Sequence, residues 1–128
     1  MNKINFNPNY YASVKLEEPE NSFEVIKKML TKNKKISAII CSTEFSALSA
    51  IKACNYLNYK IGKDISIITF DGALVRDLSS PPITAVSFPV KELGKRAINI
   101  LLDKNKNQTV NYLAKSEIIE RGSVHIVS

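Results

Sequence analysis

Polar side chains directly follow two apolar runs of the sequence, and they are the residues best placed to do chemistry. Thr43 comes after the run 36–41, and Asp71 comes after the run 65–70. A carboxylate at such a position can accept hydrogen bonds from two hydroxyl groups, which suits a sugar or a nucleoside. Plainer interpretations stay open, because Thr43 also fits a helix N-cap and Asp71 before a glycine is typical of a turn.

The residue counts exclude most catalytic chemistry. The chain of 128 residues has one histidine, two cysteines and four glycines. Cys41 and Cys54 fall on a strand and the following helix, where they are expected to be buried small hydrophobic residues. His125 lies in the tail without an evident partner, and no Cys–His or Ser–His pair stands out. We therefore predict a protein that is not an enzyme and that uses no metal and no cofactor.

The elements that position these residues alternate between strands and helices. This alternation predicts an α/β fold, with a mostly parallel sheet flanked by helices. Ligands bind such sheets beyond the carboxyl ends of the strands, where Thr43 and Asp71 lie. The predicted strands span 12–16, 36–41, 65–70, 84–88 and 112–120, and the predicted helices span about 17–31, 44–58 and 89–103.

Two of the predicted helices each carry an apolar face at helical spacing, which predicts the side that is buried. These faces consist of Phe45, Leu48, Ile51 and Cys54 in the second helix and of Val90, Leu93, Ala97 and Leu101 in the third.

The net charge of +6 comes mostly from lysine. Readers of DNA bases usually rely on arginine, so the lysines between residues 27 and 35 are interpreted as a solvated helix end rather than a DNA-binding surface. No apolar run approaches the roughly 20 residues of a membrane helix, and the first residues lack the apolar core of an export signal. We expect no membrane partner and a cytoplasmic location.

Several segments between residues 15 and 123 resemble, in order, motifs of one protein family. The segment 41–50 is similar to Cys-Ala-Asn-Asp-x-x-Ala-x-Gly-Ala, and 63–71 is similar to Pro-x-Asp-Ile-Ser-Ile-Ile-Gly-Phe-Asp with a threonine in place of the glycine. The segment 81–86 resembles Pro-Pro-Leu-Thr-Thr-Val, and 117–123 resembles Glu-Leu-Val-Val-Arg-Glu-Ser. Together with a Leu-Gly helix at residues 93–102, these motifs resemble the effector-binding domain of LacI/GalR-type transcriptional regulators.

The resemblance implies a periplasmic-binding-protein type I-like fold, in which two α/β subdomains enclose a small molecule. Residues 1–128 would then be a partial effector-binding and dimerisation domain without a DNA-binding head. The C-terminal subdomain core would cover 12–88, a crossover helix segment 89–110 and a return strand 111–123. Because that helix docks on the other subdomain in the family, we expect it here to redock, to dimerise or to expose an apolar patch.

The resemblance also assigns candidate effector contacts. Asp71 matches an aspartate that contacts the effector, and Thr43 matches a polar asparagine contact. Glu17 stands where many members carry an aromatic residue that stacks on the ligand, although a solvent-facing acid is the simpler interpretation. Phe88 stands at a position that is often polar, so it is either a stacking platform or a core residue.

Three further positions match the subunit interface of the family: Leu48, Lys52 and Leu78. The implied function is to sense a small sugar-like effector, as a homodimer, and to control operator binding by an N-terminal helix-turn-helix that this chain lacks. DNA would be contacted only through that missing domain. A GntR-headed regulator and a periplasmic-type sugar-binding protein remain alternatives.

Overall fold

A computed structural model describes residues 7–14, 19–71, 78–103 and 111–125 of the chain. Within these ranges, a 3₁₀ turn at Pro8–Tyr10 is followed by three helices and four strands. Their bounds are α1 Pro19–Lys32, β1 Ala38–Cys41, α2 Glu44–Tyr56, β2 Ser66–Phe70, β3 Thr84–Ser87, α3 Val90–Leu102 and β4 Glu117–Ile119.

The strands form one sheet in the order β1-β2-β3-β4. β1 pairs with β2 and β2 with β3 in parallel, whereas β4 runs antiparallel to β3. Helix α2 packs against α1 and against the first two strands, and buried residues of both helices share one core with Ile39 and Ile67. The predicted class, a mostly parallel sheet flanked by helices, is confirmed.

The buried face of α2 is not the face that the large apolar residues predicted. Ala47, Ala50 and Ala53 are fully buried, whereas Phe45 is 62% exposed. Leu48 and Ile51 are only half-buried. Of the predicted face only Cys54 is fully buried. The physical reason is that α2 is pressed between α1 and the sheet, where alanine side chains permit a close approach that larger ones prevent.

Two predicted strands differ from the structure. Residues 12–14 are not in a strand, and 15–16 lie outside the described residues. Residues 10–14 and the strand β1 line the same cavity of about 770 Å³, and the described sheet begins at β1. The last strand is also shorter than predicted, because only Glu117–Ile119 pair with β3.

The tail after β4 is held by a buried serine. The Ser123 hydroxyl donates a hydrogen bond to the Ile67 carbonyl at 2.6 Å and accepts one from the Thr84 amide at 2.8 Å. Ser123 is fully buried, and its own carbonyl accepts a hydrogen bond from the Ile67 amide. This one residue therefore links the tail to two neighbouring strands.

The other face of the sheet and the helix α3 are largely open to solvent. Side chains that point away from α1 and α2 include Ile40, which is 73% exposed, and Ile118. Helix α3 has no buried residue, and its predicted apolar face is exposed at Val90, Leu93 and Leu101. In the single chain α3 is therefore not redocked on the sheet, and the choice between dimerisation and an exposed apolar patch stays a prediction. Within the described ranges, no helix has the length and apolar character required to cross a bilayer.

Candidate functional site

The carboxyl edge of the sheet brings three of the predicted effector contacts together. Cys41 is paired with Thr69, so Thr43 and Asp71 each stand two residues beyond a register pair of parallel strands. Phe70 is paired with Val86, so Phe88 leaves the next strand at the same edge. The fourth candidate, Glu17, lies outside the described residues.

Asp71 has an unusual backbone conformation and an available carboxylate. Its φ is 58°, in the left-handed region that aspartate tolerates better than most residues. Its amide donates a hydrogen bond to the Val86 carbonyl at 2.8 Å, which fixes the turn against β3. Within the described part of the chain, no hydrogen bond or ion pair engages the carboxylate, and the residue is exposed. The side chain is therefore free to accept hydroxyl donors from a ligand.

Thr43 is committed to capping helix α2. Its hydroxyl accepts a hydrogen bond from the Ser46 amide at 3.2 Å, and its own amide donates to the Ser46 hydroxyl at 3.2 Å. The Ser46 hydroxyl in turn donates to the Thr43 carbonyl at 2.7 Å. In this capping box the hydroxyl proton of Thr43 is not needed for the cap. It can be donated to the Ser46 oxygen, which lies 3.1 Å away, or to a ligand. Thr43 is thus a cap first, and its hydroxyl keeps one proton and one lone pair for a ligand.

An aromatic pair completes the edge, and the sequence reasoning missed half of it. The rings of Phe70 and Phe88 are stacked, with centroids 6.3 Å apart and an interplanar angle of 16°. Phe70 is 40% exposed and Phe88 is 42% exposed, so neither is a core residue. The signal that could have found Phe70 is its place next to Asp71 at the end of a buried strand.

The candidate interface residues lie away from this aromatic pair. Leu48 is half-buried and Lys52 is exposed one turn further along α2, so the two share a helix face. The ammonium of Lys52 lies 4.9 Å from the ring centroid of Phe23 in α1, so it also holds the two helices together. Leu78 is exposed in the segment before β3.

His125 has a partner, contrary to the sequence interpretation. Its Nδ1 lies 3.0 Å from the Ser66 hydroxyl, and its amide donates to the same oxygen at 3.2 Å. A Ser–His pair therefore exists at the amino end of β2, opposite to the edge with Asp71. No carboxylate of the described chain is hydrogen-bonded to the ring, and the pair does not line the cavity beside β1. It fastens the tail to the sheet.

The two thiols are held in their neutral form. Burial raises the pKa of the Cys41 thiol to about 12, against a smaller opposing effect of a hydrogen bond with Ser46. Burial likewise raises the pKa of Cys54 to about 11. Neutral, buried thiols are poor nucleophiles and poor metal ligands. No cluster of three or more His, Cys, Asp or Glu side chains with metal-binding geometry occurs among the residues that the structure describes.

These features, an open parallel sheet with polar residues at its carboxyl edge, define an α/β binding domain. The chain matches the model of the periplasmic binding protein-like domain over residues 2–124. It is 32% identical over 117 residues to the HTH-type transcriptional regulator RegA of Clostridium saccharobutylicum. This alignment covers 89% of this chain and 34% of the relative. It is 30% identical over 118 residues to the HTH-type transcriptional repressor PurR of Haemophilus influenzae, covering 91% of this chain and 35% of the relative.

Solved structures show the same fold. A complex of the transcriptional regulator CelR with cellobiose superposes with a TM-score of 0.83 at 15% identity, over 94% of this chain and 37% of the other. The Escherichia coli transcriptional repressor ascG superposes with a TM-score of 0.80 at 22% identity, over 96% and 45%. The chain belongs to the family of periplasmic binding protein-like domains. It spans about a third of the length of the curated relatives.

Proposed function

We propose that this chain is the effector-sensing part of a LacI-type regulator and that it binds a small, hydroxyl-rich, sugar-like molecule at the carboxyl edge of its sheet. The observation that carries the proposal is the carboxylate of Asp71, which no described residue engages. The backbone of Asp71 has a left-handed conformation, and its amide donates a hydrogen bond to the Val86 carbonyl. A rigid turn with an exposed acceptor is suited to a ligand with neighbouring hydroxyl groups, because each carboxylate oxygen can accept one of them.

The mechanism we propose is a population shift between geometries of the binding domain. An effector that contacts one geometry more favourably than another stabilises it, and the difference in affinity sets the size of the response. A regulator with a helix-turn-helix head, as the names of RegA and PurR indicate for those relatives, would pass this shift to its operator. Two copies would pair through the α2 face with Leu48 and Lys52.

We also propose that the chain binds its ligand without catalysing a reaction. The relatives named above are transcriptional regulators, not enzymes. The thiols are neutral and buried, and the Ser66–His125 pair lies at the opposite end of β2 from Asp71.

Isothermal titration calorimetry against a panel of mono- and disaccharides tests the role of Asp71. The variant Asp71→Asn keeps the size of the side chain and removes its charge, so we expect the affinity for a binding sugar to fall at least about tenfold. Its unfolding free energy should change by less than about 0.5 kcal/mol, because the side chain is exposed. Asp64→Asn, before the amino end of β2, is the matched control and should leave the affinity unchanged. Equal affinity of Asp71→Asn and the parent chain would overturn the proposal.

A further inference from the structure

The aromatic pair of Phe70 and Phe88 is an exposed apolar feature of the candidate site that the proposed role of Asp71 does not use. The two rings stack within the 4.5–7 Å range of favourable aromatic pairs, and both keep about two-fifths of their surface exposed. Their stacking fixes each ring against the other, so the exposed parts form one apolar surface rather than two mobile side chains.

The backbone on both sides holds this surface beside Asp71. Phe70 immediately precedes Asp71, whose amide is bonded to the Val86 carbonyl. Phe88 lies just after β3 and before Pro89, and its carbonyl accepts a hydrogen bond from the Val90 amide at 2.8 Å. Proline restricts φ, so the junction between β3 and α3 is stiff. An apolar surface and a hydrogen-bond acceptor are therefore placed next to each other on rigid elements.

From this juxtaposition we infer that the effector carries an aromatic group joined to a hydroxyl-bearing ring, as in an aryl glycoside. The hydroxyl groups bind the Asp71 carboxylate and the aromatic group extends the stack of Phe70 and Phe88. The inference rests on the proposed function and narrows its substrate class. An aromatic ring covers the exposed parts of two phenylalanines, whereas the small methyl group of a methyl glycoside leaves most of that surface in water.

Matched pairs of glycosides separate the two parts of the ligand. The probes are phenyl and methyl β-D-glucopyranoside, together with phenyl and methyl β-D-galactopyranoside. Their Kd values for the 128-residue chain are measured by NMR titration of the backbone amides. We expect at least one phenyl glycoside to bind about tenfold or more tightly than its methyl partner.

Three variants assign the preference to the aromatic pair. Phe88→Ala and Phe70→Ala should each reduce the phenyl-to-methyl ratio to within about threefold of one, and leave the methyl glycoside affinity unchanged. Phe88→Leu keeps most of the packing volume, so it gives the same readout if the alanine variant unfolds. Phe23→Leu, in α1 and packed against Tyr56 at the end of α2, is the control and should retain the full ratio.

The outcomes distinguish this inference from the proposed function. A phenyl-to-methyl ratio near one, with binding that still depends on Asp71, overturns the inference and leaves the proposed function standing. A ratio that survives both phenylalanine substitutions also overturns the inference, since the preference then arises elsewhere. Binding of phenyl glycosides that needs Phe88 but is unchanged in Asp71→Asn overturns the proposed site. The absence of binding by all four probes overturns the inference, and it overturns the proposed function as well if the panel of mono- and disaccharides also fails to bind.

Discussion

Replacing Ser123 with alanine removes one hydroxyl and, with it, one hydrogen bond from each of two backbone groups in the sheet. The Thr84 amide loses its acceptor at 2.8 Å, and the Ile67 carbonyl loses its donor at 2.6 Å. A buried amide without a partner costs about 1–3 kcal/mol. The carbonyl costs less, because it has a second lone pair for other donors. We expect a total loss of about 2–4 kcal/mol, which is a large part of the 5–15 kcal/mol that stabilises a typical domain.

Urea unfolding followed by circular dichroism measures this loss. With a urea dependence of about 2 kcal/mol per molar, the midpoint should fall by about 1–2 M. Ser42→Ala is the matched control, because Ser42 is exposed at the end of β1 and should change stability by less than about 0.5 kcal/mol. A loss of under 0.5 kcal/mol in Ser123→Ala would refute the reasoning, since it would mean that both buried groups find other partners.

Three further predictions concern a helix cap, a glycine and the thiols. Thr43→Ala should lower the unfolding free energy by about 1 kcal/mol through loss of the capping box, and a change below 0.3 kcal/mol in urea unfolding would contradict the cap. Gly62→Ala should lower the melting temperature, because Gly62 has a φ of 78° and a Cβ there would collide with the Gly122 carbonyl oxygen. Gly94 in α3 has open space around it, so Gly94→Ala should instead raise the free energy of unfolding by about 0.5–1 kcal/mol. Folding raises the pKa of each thiol, to about 12 for Cys41 and about 11 for Cys54. The free energy of unfolding is therefore unaffected by the thiols below pH 9. It falls as pH rises from 9 toward the folded values, because the thiols of the unfolded chain ionise first. The parent chain should therefore lose up to about 1.4 kcal/mol per pH unit per thiol relative to a double alanine variant above pH 9, and parallel pH profiles of the two proteins would exclude this effect.

The exposure of α3 and of one sheet face changes how the stability of this chain should be interpreted. Parallel sheets are usually covered on both faces, whereas here Ile40, Phe70 and Ile118 remain exposed. The buried core is formed by one side of the sheet with α1 and α2. Substitutions in α3 should therefore affect stability much less than substitutions of equal size in α2, because α3 contributes no buried residue.

Local patterns in the sequence were sufficient for the class of fold and for placing Thr43 and Asp71 at one edge of the sheet. The apolar runs around Ile39 and Ile67 form strands because their alternate side chains pack into the core with α1 and α2, where both isoleucines are buried. Thr43 and Ser46 begin α2 because the cap needs only residues three apart. Once the strands are parallel, the residues after them meet at one edge, so Asp71 and Thr43 could be placed near each other in advance.

Contacts between residues distant in sequence required the tertiary structure. The buried face of α2 was decided by the space between α1 and the sheet, which selects Ala47, Ala50 and Ala53 over Phe45. Ser66 meets His125 across 59 positions, and no local pattern indicates that pair. The stacking of Phe70 on Phe88 likewise depends on the register of β2 and β3, and a shift of one residue would move one ring to the other face of the sheet. Local periodicity determines which elements form, because it acts within a few residues, whereas packing and register determine which side chains share a site.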